Sequence, residues 1–313
     1  MHTSSRPRIG LALGSGAARG LAHIGVLKVL EEAKIPIDII AGTSMGAFIG
    51  AMYAAGVPVD HMENAALEID WRSMARLLDP VLPTSGLTDS RRLVSFIAEL
   101  LPARDFADLN RPLAITATDI NTGEAVIIKQ GDLLEALRAG LAFPGIFSPV
   151  RFGQRFLVDG GLCKPIPTDV ARQLGADKVI GVCTIPEVNK RTPETYLPTA
   201  QGRAKPVSRW RGLFSARSIE QAFRTAIGPE SKEDVRGDVK TPNIFRVCAQ
   251  SVVIMENVIN ELHLRQNPHD LLIKPSLNDI TLLEFHRAEE IIAAGEASAR
   301  AVLPEIEYLL QNA

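Results

Sequence analysis

The pentapeptide Gly42-Thr43-Ser44-Met45-Gly46 has the GxSxG form of a nucleophile elbow. Its chemistry would be acyl transfer. A serine on a sharp strand-to-helix turn projects its hydroxyl, and Gly42 and Gly46 relieve the crowding around it. The helix that follows aims amides and the positive end of its dipole at charge forming on the substrate. Such a serine needs a base. His23 lies in the first helix beside a glycine-rich loop, where it reads as a partly buried helix residue close enough to touch the site. His263, His269 and His286 read as surface or helix-face residues of a polar C-terminal region. Asp159 is the better partner. It closes a short apolar strand, and Gly160 and Gly161 after it permit a tight turn and close approach of another backbone. Taken alone it also reads as an ordinary turn aspartate. To act as a base it must be desolvated, because an unperturbed aspartate titrates near ~3.9.

A third segment, Gly14-Ser15-Gly16-Ala17-Ala18-Arg19-Gly20, follows the first apolar strand. Consecutive amides around Gly16 and Ala17 can point at an oxyanion, with the amide of Met45 as a further donor. The rival reading, a dinucleotide-binding GxGxxG, fails because Arg19 stands where the third glycine belongs. No acidic strand end follows at the ribose position either. Arg19 has two readings, an anionic-headgroup ligand or a structural ion-pair or loop-packing residue.

These residues need a scaffold. Residues 8–13 and 37–41 read as buried strands, and Ile24, Leu27 and Leu30 share one face of a helix between them that Pro36 ends. The β-α-β-α order predicts a parallel pair, and unbroken apolar strands predict helices on both faces of the sheet. Further strands are expected over 113–118, 125–128, 155–158 and 178–183, with helices over 251–264 and 281–310 and a strand at 271–274. The glycine-rich loop, the elbow and Asp159 each follow the carboxyl end of a strand. If those strands neighbour one another in the same orientation, the three segments meet in one crevice. The fold class is thus α/β, three layers around a mainly parallel central sheet.

Composition narrows the function. With 46% hydrophobic and 22% charged residues the chain is not disordered, and a net charge of −2 gives no global case for nucleic acid. Cys163, Cys183 and Cys248 form no CxxC pair, against a structural zinc site or a disulfide framework; a reducing cytoplasm is the default location. The uncharged stretch 39–57 is long enough to span a bilayer but reads as strand, elbow and buried helix. The short run 9–13 after Arg6 and Arg8 reads as a first strand, not a secretion signal.

Together the three motifs resemble the patatin-like phospholipase family in its bacterial form. The likeness covers residues 9–185 well. It includes Gly20-Leu21-Ala22-His23-Ile24-Gly25-Val26-Leu27, Phe143-Pro144-Gly145-Ile146-Phe147 and Leu174-Gly175-Ala176-Asp177. The resemblance implies a Ser-Asp dyad with Ser44 as nucleophile and Asp159 as base, and an oxyanion hole at Ser15, Gly16, Ala17 and Met45. Gly14, Arg19, Gly20, Gly42, Gly46, Gly160 and Gly161 would support them. It also implies hydrolysis of lipid acyl esters with no metal or organic cofactor. One departure is visible. The family loop runs Gly-Gly-Gly-x-Arg-Gly, whereas its glycine positions here are Ser15, Gly16 and Ala17, so an alanine or serine at positive φ would be strained. A non-catalytic lipid-binding protein and a lipid acyltransferase stay open as alternatives.

The domain reading places a catalytic domain at 9–185, an insertion or mobile flap at 186–245 and C-terminal helices at 246–313 packing on the same domain. Trp210-Arg211-Gly212-Leu213-Phe214, with Arg203, Lys205, Arg209 and Arg217 nearby, mixes cations with apolar groups. Its two readings are contact with an anionic membrane surface and an ordinary solvated flap. The expected partner is a lipid ester met in the cytoplasm or at the inner membrane surface. Oligomeric state is not readable.

Overall fold

A computed structural model describes residues 6–69, 91–185, 244–267, 269–277 and 279–311. Strand β1 (Ile9–Leu13) and strand β2 (Ile39–Thr43) are buried along their whole length. Their side chains alternate between two cores. Ile9, Leu11 and Leu13 join Ile24, Leu27 and Leu30 of helix α1 (Ala22–Glu32) on one face. Ala12, Ile39 and Ala41 join Val170 and Ala171 of a helix at Thr168–Gln173 on the other. A strand buried on both faces cannot carry polar alternation, which accounts for the continuous apolar runs.

After helix α2 (Met45–Ala54) come α3 (Val59–Leu67), α4 (Arg91–Leu100), β3 (Leu113–Asp119), β4 (Ala125–Ile128) and α5 (Leu133–Gly140). Strands β5 (Val150–Phe152) and β6 (Arg155–Asp159) follow, then α6 (Thr168–Gln173) and β7 (Lys178–Val182). The C-terminal part supplies α7 (Ile244–Gln266), β8 (Leu271–Ile273), α8 (Ala288–Ala301) and α9 (Leu303–Gln311). The sheet runs β5-β6-β3-β2-β1-β7-β8, with β4 pairing β3 along the edge opposite β2 and β6. β3, β2, β1, β7 and β8 are parallel; β4, β5 and β6 run against their neighbours.

The expected strands are present in the expected order, with β5 and the helices α3, α4 and α5 added, and the helix expected over 281–310 is divided into α8 and α9. The stretch 39–57 is strand, elbow and helix, and among the described residues no helix is long and apolar enough to cross a membrane. Of the flap expected over 186–245, residues 186–243, with the Trp210 segment, lie outside the described residues, and its last two residues begin helix α7. One geometric expectation is corrected. The strand that ends at Asp159 does not share the orientation of β1 and β2: β6 is antiparallel to β3. The segments still converge because of register. Thr43 pairs Thr116 and Asp159 pairs the next residue, Ala117, both on one edge of β3, because β4 pairs 115–118 along the other. The carboxyl ends of β2 and β6 therefore meet head to head along that edge, which brings the residue after Thr43 to Asp159.

Helix α7 is amphipathic in an unusual sense. Its buried side includes Glu256, Asn260 and His263 together with Val252 and Val253, while Ile254, Met255, Val258 and Leu262 are exposed. Of the two readings of His263, surface or helix face, the helix face holds and the surface does not. His263 is buried with Nε2 3.2 Å from Asp169 Oδ1, and the other Asp169 oxygen takes Lys164 Nζ at 2.5 Å. His286 is exposed, as expected, and His269 is partly buried.

Candidate active site

Ser44 caps helix α2 from a left-handed backbone, φ 55° and ψ −124°. For a residue with a β-carbon this conformation costs on the order of 1–3 kcal/mol, and it throws the side chain clear of the helix. A capping serine usually turns its oxygen back on the first-turn amides. Here it does not: Ser44 Oγ donates to Asp159 Oδ2 at 2.6 Å, and no side-chain cap forms. The first intrahelical bonds come from Ala47 and Phe48 to the Ser44 carbonyl, which leaves the amides of Met45 and Gly46 at the helix mouth. Gly46 has a packing reason as well, since a β-carbon there would collide with the carbonyls of Leu13 and Gly14.

Asp159 is held on every side. Its amide donates to Ala142 O at 3.0 Å, and its carbonyl accepts from Thr118 Oγ1 at 2.9 Å. The second carboxyl oxygen, Oδ1, accepts from the amide of Gly161 at 2.8 Å. The group is 2% exposed, and burial pushes its pKa up to about 6 against the opposing hydrogen bonds from Ser44 and Gly161. An aspartate so raised is a far better proton acceptor at neutral pH than an ordinary one. Beneath the pair, Thr43 Oγ1 meets Thr116 Oγ1 at 2.7 Å and donates to Lys164 O at 2.7 Å, tying the elbow to β3 and to the chain beyond Gly161.

The glycine-rich loop lies over the ends of β1 and β7. The Gly14 amide donates to Val182 O at 3.0 Å, and the Ser15 amide to Pro165 O at 2.8 Å. This is a correction: the Ser15 amide is engaged in holding the loop and cannot also serve an oxyanion. The amides of Gly16 and Ala17 have no backbone partner among the described residues. Ala17 has φ 49°, the strained position expected where the family loop has glycine, whereas Ser15 avoids positive φ. His23 stands inside this arrangement, 0% exposed, and its Nε2 donates to Gly14 O at 2.8 Å. Burial lowers its pKa to about 4, so it is a neutral imidazole that anchors the loop. Arg19 is buried too, with Nη1 3.4 Å from Ile280 O, and burial lowers its pKa to about 10. Of its two readings the loop-packing one fits; it presents no surface for a headgroup. Among the described residues no three His, Cys, Asp or Glu side chains are grouped to hold a metal ion.

The sequence model of the patatin-like phospholipase family matches residues 11–172, a little over half the chain and the span that holds all three motifs. The chain belongs to that family. This patatin-like protein is 32% identical to an uncharacterized NTE family protein of Mycobacterium tuberculosis, over 97% of its own length and 93% of the relative's. It is 28% identical to the lysophospholipase nte1 of Aspergillus fumigatus over 96% of its length, which is 18% of that much longer protein. Human patatin-like phospholipase domain-containing protein 6 is 36% identical over 181 residues, 56% of this chain and 13% of the relative. The patatin-like α/β architecture follows, and so does membership of a family of lipid hydrolases.

Glu256 was not among the residues singled out from the sequence. It sits in the apolar run Val252-Val253-Ile254-Met255, one charge where a hydrophobe would be usual, followed four and seven residues on by Asn260 and His263. That spacing is the signal that could have found a buried polar helix face.

Proposed function

We propose that this patatin-like protein is a serine acyl hydrolase of lipid esters working through a Ser44–Asp159 dyad. The observation that carries the reading is the 2.6 Å hydrogen bond from Ser44 Oγ to a buried Asp159. Ser44 Oγ attacks the acyl carbonyl as Asp159 takes its proton. The carbonyl oxygen becomes an oxyanion, met by the amides of Gly16, Ala17 and Met45 and by the positive end of the α2 dipole. The tetrahedral intermediate expels the alcohol, which receives the proton from Asp159 and leaves an acyl-Ser44 ester. Water, giving a proton to Asp159, attacks that ester, and the fatty acid departs as the proton returns to Ser44. A carboxylate with a pKa near 6 can both accept and return that proton at neutral pH.

The substrate class is a phospholipid, lysophospholipid or simpler carboxylic ester; the lysophospholipase name of the Aspergillus relative makes lysophospholipids the first to try. Contact with a lipid surface, from the cytoplasmic side, belongs to the same proposal, because a membrane ester is reached only there. Deletion of 203–217 would weaken binding to anionic vesicles in a salt-dependent way if that segment makes the contact; equal binding by both forms would refute it.

The central test is turnover of a lipid panel and a short-chain aryl ester by the wild type, Ser44→Ala and Asp159→Asn. Loss of about 10³-fold or more in kcat in each variant is the expected outcome. Wild-type rates in either variant would reject the dyad. A fluorophosphonate that fails to label Ser44 would favour a lipid-binding protein, and acyl products appearing on added glycerol would favour an acyltransferase.

A further inference from the structure

Helix α7 brings a second carboxyl group to the dyad. Ser15 Oγ donates to Glu256 Oε1 at 3.4 Å, so Glu256 reaches the glycine-rich loop immediately before Gly16. The same oxygen lies against Gly161, where a β-carbon would collide with it, and that imagined β-carbon would stand 3.2 Å from Asp159 Oδ1. Glu256 thus packs between the loop proposed to hold the oxyanion and the amide that orients the base. Its side is closed to solvent, 4% exposed. The Ser15 carbonyl, on the far side of the same residue, accepts from Thr184 Oγ1 at 2.5 Å. The loop is clamped from both directions.

We propose that the Glu256 carboxyl, in its protonated form, is a positioning residue for the reaction at Ser44, joining the glycine-rich loop to the Asp159 turn, and that its ionisation switches the site off in alkali. The inference rests on the dyad reading. Four observations support it. Glu256 touches both the loop and the base turn from a helix remote in sequence. The charged groups that face it are Asp159 from the end of β6 and Arg19 from the turn at Ala17–Leu21; Asn260 and His263 are the next buried polar groups on its own helix. Burial, with the Asp159 charge adding to it, pushes Glu256 up to about 8, while Arg19 and the Ser15 hydroxyl pull the other way. Asp159 stands at about 6. Between these values one negative charge occupies the pocket, on the base. Two carboxyl groups pushed apart in this way divide the protonated and ionised roles between them. Above about pH 8 Glu256 loses its proton, and a second negative charge in a water-poor site opposes the oxyanion forming beside the loop.

The test is kcat and KM for 4-nitrophenyl butyrate between pH 5 and 10, with wild type, Glu256→Gln and Glu256→Ala, and Ser44→Ala as the blank at every pH. Wild type should lose about tenfold in kcat/KM from pH 7 to pH 9. Glu256→Gln keeps a neutral, hydrogen-bonding side chain that cannot ionise, so its ratio of pH 9 to pH 7 activity should rise about tenfold over wild type. Glu256→Ala should lower kcat about tenfold at pH 7 with a smaller change in KM, and the glutamine variant should recover part of that loss. An alkaline limb identical in wild type and Glu256→Gln overturns the inference, as does a Glu256→Ala kcat within twofold of wild type. If the alanine variant does not fold, the glutamine pH profile decides alone. Wild-type turnover no greater than the Ser44→Ala blank overturns both the dyad and this inference, whereas Ser44-dependent turnover with an unchanged alkaline limb overturns only the latter.

Discussion

Asp159 is an aspartate whose surroundings oppose its charge, and that has consequences for both rate and stability. As the proposed base it must be ionised, so kcat/KM should fall about tenfold per pH unit below about pH 6, a profile measurable on any accepted ester. A flat profile down to pH 4.5 would mean that another group takes the proton. The stability effect has the opposite sense. The folded-state pKa of about 6 lies above the unfolded value of 3.8. The contribution of Asp159 to folding is therefore full below the unfolded value and is lost as the pH rises through 6. Asp159→Asn, which cannot ionise, should raise unfolding free energy by on the order of 3 kcal/mol at pH 8 and by almost nothing at pH 3.5. Urea titrations at the two pH values check this; equal midpoint changes at both would contradict it. At this scale the elbow at Ser44 and the turn at Asp159, which the fold brings together, were legible because their motifs are local. Ser15 was misread, since its amide bonds to Pro165, about 150 positions away in the chain.

At the scale of elements, the elbow and the loop show how strain is placed. The left-handed turn at Ser44 is required to expose its hydroxyl, whereas the one at Ala17 only follows the path of the loop. Ala17→Gly removes roughly 1–2 kcal/mol of left-handed strain and adds roughly 0.5–1 kcal/mol of chain entropy. A net gain of about 0.5–1 kcal/mol is expected, and a fall in thermal midpoint would refute it. Strands β1, β2 and β7 were readable from their apolar runs, because burial on both faces leaves no other composition. Helix α7 was readable as a helix but not as to which side faces inward. Its apolar residues Ile254, Met255, Val258 and Leu262 form a helical stripe that pattern alone would assign to the core. The inward side is instead set by Arg19, Ser15 and Asp169, whose hydrogen-bonding and charged groups offer Glu256 and His263 partners that solvent would otherwise supply.

For the whole molecule, the C-terminal segment is joined to the same body as the motifs. β8 extends the sheet beside β7, and Arg172 pairs Asp270 across that junction. Helix α8 lies on α1 at a crossing of two glycines: a β-carbon on Gly295 would collide with the Ala22 carbonyl, and one on Gly25 with the Ile292 carbonyl. Gly295→Val should force the helices apart and destabilise the protein by roughly 3 kcal/mol or more. A clear drop in melting temperature, with Ser44-dependent turnover lost at a correspondingly lower temperature, is expected. An unchanged melting curve would show that this crossing carries little of the stability. The α1–α8 contact could not be read from sequence, as a glycine in a helix gives no indication of which backbone approaches it.

Sequence by itself determined the parts whose causes are local. Small residues make the sharp turn at Ser44 and the close turn after Asp159, two-faced burial makes the strands apolar, and together these specified a family and the proposed reacting groups. Tertiary structure alone decided the direction of β6, the loop amides left without partners and the arrival of Glu256 beside Asp159. The physical reason is that strand direction, hydrogen-bond competition and desolvation are settled by neighbours far along the chain, so no window of residues contains them.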